Sequence, residues 1–223
     1  MISSIHKARH LLCGLGCATV LAGCSSDGSD SWRAMLKVAR QSWERSDATV
    51  KIDAAAAIPY ATLGVRLNDG SEQILVLATD SNGERVWTSA SHVAIETRRG
   101  RIIRTNGFLA NLSGYSTPDA AHEDWWSPHQ NRWLADFADL GMYSVPVVCD
   151  VRPVGRDPIT ILGANFDTIR VEENCSSTLL DWTFVNSFWV SVATGRVWRS
   201  IQQIHPGGPQ LEIEFLRPPA TPG

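Results

Sequence analysis

The sequence predicts a mainly β protein built on one large, curved antiparallel sheet, half-open and barrel-like, with two short helices. Short apolar or alternating segments follow one another from Ile58 to Phe215. Turn signals at Asp69-Gly70, Asn82-Gly83 and Arg99-Gly100 separate them at hairpin spacing. A sheet of about eleven antiparallel strands has to curl or close in order to protect its edges.

The first 23 residues have the composition of a secretory signal. Lys7 and Arg9 precede an apolar run that is too short to form a membrane-spanning helix. The run ends in Leu21-Ala22-Gly23-Cys24, which matches the lipobox of bacterial lipoproteins. We therefore expect cleavage before Cys24 and acylation of that cysteine, which would hold the protein at a membrane. An ordinary signal peptide cut elsewhere is the alternative.

The segment after Cys24 predicts a tether and then a helix. Residues 24–31 carry the acylated cysteine and a flexible stretch of Ser, Asp and Gly. Residues 32–46 have apolar side chains at helical spacing, including Trp32 and Trp43, and this helix is expected to dock onto the fold. We expect a single β-rich domain over residues 32–217 and a disordered tail over residues 218–223.

The apolar patterns predict the first strands of the domain. Residues 58–67 form the first strand, and the continuous apolar run of residues 74–78 predicts a strand covered on both faces. Residues 84–89 follow. The two strands between Val93 and Asn106 do not alternate cleanly, so a bulge or a longer loop is expected there.

The middle of the chain is irregular, and the second short helix is predicted at its end. Residues 112–132 are rich in Ser, Pro, Asp, His and Trp. Over residues 131–140, Trp133, Phe137 and Leu140 would lie on one side of a helix that Gly141 ends.

The C-terminal half returns to strands, and its last long hairpin gives the candidate ligand face. If Thr194-Gly195 is a two-residue loop, the plain core face holds Phe188, Val190, Val192, Val197 and Ile201, with Arg199 as the exception. The opposite face mixes aromatic rings with hydroxyl and amide groups, as a sugar-binding or lipid-lined concave surface does. This face carries Ser187, Trp189, Ser191, Trp198, Ser200 and Gln202.

Our candidate ligand residues are Trp189, Trp198, Ser200 and Gln202, together with the adjacent pair Trp125 and Trp126. The alternative is that a helix covers this face and the tryptophans pack there. A loop one residue longer would change which residues share a face, because side chains alternate along a strand.

Three cysteines remain after cleavage. With Cys24 acylated, Cys149 and Cys175 are left as a pair, and an oxidising compartment predicts a disulfide between them. Two free buried thiols are the alternative. The histidines have no zinc-binding spacing relative to these cysteines or to one another, so we expect no metal and no cofactor.

Nothing in the sequence matches a common catalytic motif. There is no Gly-x-Ser-x-Gly and no glycine-rich phosphate loop, and the absence of a basic stripe argues against nucleic acid as a partner. We therefore expect a non-enzymatic protein. Two alternatives remain: a lipid or lipid-linked precursor carrier with a deep apolar concavity, and a carbohydrate-active enzyme that uses carboxylates of the region 119–139. These carboxylates are Asp119, Glu123, Asp124, Asp136 and Asp139.

Several stretches resemble the YjbF/GfcB lipoproteins. In the first half they are residues 59–67, 75–78 and 86–90, and the run from Gly100 to Gly107. In the second half they are Trp182-x-Phe184-x-Asn186-x-x-Trp189-Val190, Thr194-Gly195-x-Val197 and Ser200-x-Gln202.

The resemblance implies a mainly β lipoprotein of the outer membrane that is encoded with exopolysaccharide or group 4 capsule genes. It brings no catalytic residues. Together with Cys24, it implies a periplasm-facing accessory factor that binds polysaccharide or a protein of the export machinery.

Overall fold

The computed structural model describes residues 57–81, 83–117 and 127–219. The strands in these ranges are β1 Thr62–Leu67, β2 Gln73–Ser81, β3 Glu84–Thr88, β4 Ala94–Arg98, β5 Arg101–Asn106, β6 Gly114–Ser116, β7 His129–Phe137, β8 Met142–Arg156, β9 Ile159–Ile161, β10 Ala164–Phe166, β11 Thr168–Ser177, β12 Trp182–Ser191, β13 Val197–Gln203 and β14 Gln210–Arg217. The mainly β prediction is confirmed.

Twelve of these strands form one antiparallel sheet that is nearly closed on itself. Its order is β5-β4-β3-β2-β1-β14-β13-β12-β11-β8-β7-β6. Beside the two edge strands, the backbone N–H of Thr105 in β5 donates to the carbonyl oxygen of Leu112, two residues before β6, at 2.8 Å. The N–H of Leu112 donates to the hydroxyl of Thr105 at 3.0 Å, and the Arg104 guanidinium donates to the Ser113 carbonyl at 3.1 Å. These contacts protect edges that would otherwise be open to pairing.

The barrel interior is filled by large side chains. Trp87, Phe137, Phe188, Leu63 and Leu75 are all fully buried. Inward residues alternate with outward ones along each strand, as the two-residue period of a strand requires. Because protein interiors are packed about as densely as organic crystals, these side chains occupy the space that a carrier would use for an acyl chain.

The predicted helix over residues 131–140 is wrong. Residues 129–137 are strand β7, paired with β8 on one side and β6 on the other, and only Ala138–Leu140 form a 3-10 turn. Trp133 and Phe137 are four residues apart, which places them on the same side of a helix and also of a strand. Ala135 between them is buried too, so the period is two. Gly141 does end the turn, with φ at +63°.

Two expectations about strand pairing are confirmed. Ser81 pairs with Glu84, so a two-residue connection joins β2 to β3, and Gly83 in it has a positive φ. Between β4 and β5 the register shifts at Glu96 and Thr97, which is the irregularity that the broken alternation predicted.

A separate hairpin of β9 and β10 lies on the outer face of the barrel. Its Ile159 and Ile161 pack against Trp189, and Phe166 and Leu162 belong to the same apolar cluster. This hairpin, which connects β8 to β11, covers part of the outer surface of β12, β13 and β14.

The turn between β4 and β5 packs against the opposite side of the barrel. Gly100 is buried with φ at +84°, and a Cβ built on it would lie 2.5 Å from Cβ of Val197. No side chain fits at that separation. Glycine is therefore required both by the backbone conformation and by the close approach of the two elements.

The predicted disulfide is present. Cys149 of β8 and Cys175 of β11 are directly paired residues on neighbouring strands, and their sulfur atoms are bonded inside the barrel. The Trp133 indole N–H points at the Cys149 sulfur, 3.3 Å away.

Loss of this disulfide is expected to lower the free energy of unfolding by about 3 kcal/mol, because it cross-links positions 26 residues apart. The change is Cys149→Ala together with Cys175→Ala, measured by urea unfolding. Reductant should shift the wild-type midpoint in the same direction and leave that of the double variant unchanged. Equal midpoints for the wild type and the variant without reductant would contradict the prediction.

Several expectations concern residues outside the described ranges. They are the signal segment, the acylation of Cys24, the tether, the helix over residues 32–46, and Trp125 and Trp126. The end of the tail, from residue 220, is also outside. In the part of the chain that the structure describes, no helix is long and apolar enough to cross a membrane.

Candidate functional site

The four hairpin residues predicted to form one ligand face do not share a face. Ser191 and Arg196 are hydrogen-bonded across the β12–β13 connection, so its loop spans residues 192–195 rather than two residues. In the strands, Phe188 pairs with Ser200 and Trp189 pairs with Arg199, with a register shift between Trp189 and Val190. The longer loop and the bulge place Trp189 and Trp198 outside the barrel, and Ser200 and Gln202 inside it.

Trp189 lies under the β9–β10 hairpin and is only 8% exposed. Its indole N–H donates to Oδ2 of Asp157 at 2.9 Å, and the Arg199 guanidinium lies 5.6 Å from the ring centre. The element that covers Trp189 is this hairpin and not the helix of the alternative. A buried indole with its N–H satisfied and a cation over its ring is a well-packed anchor for that hairpin.

Trp198 is half-buried at the edge of the same hairpin. Its ring centre is 4.0 Å from that of Phe166, with the planes tilted by 32°, and the Arg196 guanidinium lies 5.3 Å away. These two contacts occupy part of the ring surface that a sugar would use. Trp198 is the more accessible of the two tryptophans for a ligand.

A charged cluster that the sequence analysis did not assign lies on the outer face of β1, β13 and β14. Arg66 donates to Glu212 at 2.8 Å and lies 3.9 Å from Glu72, and Arg199 bonds to Glu214 and lies 3.5 Å from Glu212. Burial raises the pKa of Glu72, and the Glu214 carboxylate raises it further. Arg66 and Arg199 lower it, but the pKa remains above its ordinary value.

Three carboxylates and two guanidiniums form a nearly balanced network, which is the arrangement of an ion-pair ladder on a sheet. The alternation of Leu211-Glu212-Ile213-Glu214 placed the two β14 glutamates on one face. No sequence signal brought Glu72 to them, because it lies in the β1–β2 loop.

Inside the barrel, a polar bridge joins the β4–β5 hairpin to β11, β12 and β13. The Arg101 guanidinium binds both oxygens of Glu173, with Nη1 2.8 Å from Oε2, and the Asn186 amide donates to Oε2 at 3.3 Å. Arg101 is 13% exposed and Glu173 is fully buried. Burial lowers the pKa of Arg101, but the Glu173 carboxylate more than offsets this and leaves the pKa raised.

Gln202 completes this bridge. Its amide oxygen accepts the backbone N–H of Ile102 at 3.0 Å, and its amide nitrogen donates to the carbonyl of Gly100 at 3.0 Å and to the Ser200 hydroxyl at 2.8 Å. Both polar atoms of the amide are therefore engaged within the fold. Gln202 and Ser200 hold the barrel closed.

The residues of the polar bridge could be found in part from the sequence. Arg101, Asn186, Ser200 and Gln202 all lie in the stretches that resemble a known family, which are far apart in the chain and meet here. Glu173 is two residues before Cys175 on an alternating strand. A disulfide inside the barrel therefore places Glu173 inside as well.

A cluster of ligating atoms surrounds the disulfide, since the sulfurs of Cys149 and Cys175 and an oxygen of Glu173 lie within 4.8 Å of one another. Both sulfurs are bonded to each other and Glu173 is bound by Arg101. With the disulfide formed, these residues do not offer thiolates to a metal ion.

Of the carboxylates considered for catalysis, Asp136 and Asp139 lie in the described residues. Asp136 accepts the backbone N–H of Ser144 at 2.7 Å, and Oδ2 of Asp139 lies 3.1 Å from Nε2 of His205. The first contact joins β7 to β8, and the second joins the β7–β8 connection to the β13–β14 loop. Asp119, Glu123 and Asp124 lie outside the described ranges.

His205 is a buried neutral histidine between two loops. Its Nδ1 accepts the backbone N–H of Gly207 at 3.0 Å, which leaves the ring proton on Nε2, facing Asp139. The ring packs edge-on against Phe137, with centres 5.0 Å apart. Burial lowers the pKa of His205, and the Asp139 carboxylate compensates only in part.

This lowered pKa predicts that stability increases with pH in the weakly acidic range. Between the folded value and the ordinary value of 6.5, the unfolded chain binds more protons at this position than the folded chain. The free energy of unfolding should therefore fall as the pH drops through that window. Urea unfolding at several pH values, with His205→Gln compared against wild type, measures the effect.

The His205→Gln variant should show a flatter dependence on pH than wild type, and Asp139→Asn a steeper one, because the neutral amide no longer favours the imidazolium. Equal slopes in wild type and His205→Gln would contradict the assignment to His205.

The chain matches a known protein family and is similar to known lipoproteins. The family described as "Group 4 capsule polysaccharide lipoprotein gfcB, YjbF" matches residues 30–216. The "Uncharacterized lipoprotein GfcB" of Escherichia coli K12 is 28% identical over 210 residues, which cover 90% of this chain and 95% of that one. The crystal structure of the hypothetical lipoprotein YmcC from Escherichia coli K12 superposes with a TM-score of 0.64 at 25% identity, covering 86% of this chain and 96% of that one.

Proposed function

The chain belongs to the group 4 capsule polysaccharide lipoprotein family of GfcB and YjbF, and from this premise we propose that it is a non-enzymatic accessory factor in capsule or exopolysaccharide production or export. It is held by an acylated Cys24 in the outer membrane and faces the periplasm. The lipobox at residues 21–24 and the serine that follows it support this location. The family description names a lipoprotein and no reaction.

The observation that carries the mode of action is the filled and cross-bridged barrel interior. Trp87, Phe137 and Phe188 fill it, and the bridge of Arg101 and Glu173 crosses it. This packing supports a protein that works through its outer surface and argues against a lipid carrier with a deep apolar concavity. The partner bound at that surface is a glycan or a protein of the export machinery.

For a glycan, the supporting feature is the outer tryptophan edge next to the β9–β10 hairpin. Trp198 is half-buried there, with Arg196 over its ring and Phe166 beside it. Aromatic faces flanked by polar groups suit sugar rings, whose C–H groups pack on the ring while hydroxyls bond at its edge. Trp125 and Trp126 remain candidates for the same role.

The anchor is tested by Cys24→Ala in a strain that lacks the native gene. We expect a folded protein that fractionates as soluble and does not restore polysaccharide production, because the lipid holds the domain at its site of action. The control is the native chain expressed at the same level. Full restoration by the variant would contradict a requirement for the anchor.

Glycan binding is tested with the purified mature chain and the polysaccharide of the source strain. Trp198→Ala should weaken binding roughly fivefold, which corresponds to about 1 kcal/mol for one aromatic contact. Val185→Ala, at an exposed residue on the outer face of β12, is the matched control. If the wild type does not bind, or if both variants bind equally, the partner is not a glycan at this edge.

A further inference from the structure

The antiparallel topology separates two ends of the barrel. One end has the β4–β5 turn, the β12–β13 loop and the start of β1. The other end is formed by the six loops that connect β1–β2, β3–β4, β5–β6, β7–β8, β11–β12 and β13–β14. All six are described in full: residues 68–72, 89–93, 107–113, 138–141, 178–181 and 204–209.

The six loops carry a net negative charge. They contain Asp69, Glu72, Asp139 and Asp181, and neither Lys nor Arg occurs in them. Asp69, Asp139 and Asp181 are exposed, whereas Glu72 turns to Arg66 on the side of the barrel. The barrel thus has an end with a negatively charged rim.

The same end exposes large apolar side chains. Tyr143 is 64% exposed and Leu179 is 59% exposed, and Leu109 and Leu140 are also largely open to solvent. They alternate with the acids, since Asp139 precedes Leu140 and Asp181 follows Leu179 by two residues. We name the surface of Leu109, Leu140, Tyr143, Leu179, Asp139 and Asp181 the acidic–apolar end.

Contacts between the loops make this end one continuous surface. Phe137, just before Asp139, packs edge-on against both Trp182 and His205, with ring centres 6.0 and 5.0 Å apart. His205 reaches Asp139, and a Cβ built on Gly208 would lie 3.3 Å from Ala110, next to Leu109. The exposed leucines are therefore carried by loops that pack on a common base and can be engaged together.

We propose that the acidic–apolar end is a docking surface for a protein partner whose contacting segment combines basic and apolar side chains. The negative rim selects a cationic segment, and the apolar tips provide area that leaves water on binding. Anionic lipid headgroups and acidic glycans would be repelled by the same rim. This surface lies opposite the end at which β1 enters the barrel.

This docking surface rests on the proposed function for its biological setting. It adds to that function the chemistry of the protein partner. Its test uses the full chain purified in detergent and a labelled amphipathic peptide of leucine and lysine. A peptide with glutamate in place of lysine is the matched probe, and vesicles of phosphatidylcholine with and without phosphatidylglycerol test the membrane alternative. The test involves neither glycan nor secretion. The docking surface can therefore fail its test while the proposed function stands, and the proposed function can fail while the docking surface stands.

We expect the lysine peptide to bind at least fivefold more tightly than the glutamate peptide. Asp139→Asn with Asp181→Asn, and separately Leu140→Ser with Leu179→Ser, should each weaken its binding at least fivefold. Asp167→Asn and Val192→Ser, at exposed positions on the opposite end, should leave it unchanged.

Three results would overturn the proposal. The first is equal binding of the lysine and glutamate peptides, and the second is weakening of binding by the control variants as large as that by the test variants. The third is that the lysine peptide does not bind, while the protein binds vesicles and the Leu140→Ser with Leu179→Ser variant abolishes that vesicle binding. Circular dichroism of each variant verifies folding, which these exposed substitutions should preserve.

Discussion

Replacing Arg101 by alanine is expected to lower the free energy of unfolding by about 3–5 kcal/mol. The substitution leaves the carboxylate of Glu173 fully buried, with the Asn186 amide still donating to it. A buried charge that loses its counter-ion costs far more than an exposed pair contributes, because water cannot replace the lost partner. Urea unfolding monitored by tryptophan fluorescence measures the difference.

The matched control for Arg101 is Arg98, three residues earlier on the same hairpin. Arg98 also binds a glutamate, Glu84, but both side chains of that pair are more than 40% exposed. Arg98→Ala should therefore cost less than about 1 kcal/mol.

The double variant Arg101→Met with Glu173→Met should recover most of the loss from Arg101→Ala, because it removes the buried charge together with its partner. If Arg101→Ala and Arg98→Ala had equal effects, the interior bridge would not contribute to closing the barrel.

The second large effect is expected from Gly100→Ala, at about 4 kcal/mol. A positive φ costs an L-residue about 1–2 kcal/mol, and forcing a methyl group into a packed site costs about 1–3 kcal/mol more. At Gly100 both apply, because φ is +84° and the added Cβ would lie 2.5 Å from Cβ of Val197.

Gly83 separates the two contributions to the Gly100 effect. Its φ is +83°, and nothing lies within 4 Å of a Cβ built on it. Gly83→Ala should therefore cost only the backbone part, about 1–2 kcal/mol. The excess of Gly100→Ala over Gly83→Ala measures how tightly the β4–β5 turn packs against β13. Equal losses for the two variants would mean that the turn moves away from Val197 without resistance.

The fold class and the disulfide could be predicted from the sequence because they depend on local signals. Alternation and turn dipeptides such as Arg99-Gly100 mark strands and hairpins wherever the strands later pair. Cys149 and Cys175 were the pair left once Cys24 was assigned to the expected lipid anchor. The helix over residues 131–140 was wrong because spacing of four residues satisfies both periods, and only pairing with β6 and β8 decided between them.

The candidate ligand face could not be predicted, because it depended on a loop length that pattern alone does not give. Trp189 lies outside under a hairpin and Trp198 outside at its edge, whereas Ser200 and Gln202 lie inside in the closing bridge. The residues of that bridge are remote in the chain. Gln202 holds Gly100 and Ile102 across 100 or more positions, and nothing local encodes such a contact.

The sequence by itself determined that this protein is a β-rich lipoprotein-like chain in which Cys149 and Cys175 are candidates for a disulfide, since composition and period are properties of neighbouring residues. The tertiary structure alone decided which side of each strand meets solvent. A loop of residues 192–195 and one bulge set the register of β12 and β13, and side chains alternate with a period of two. A change of one residue in that register therefore moves a side chain from a candidate binding surface into the core.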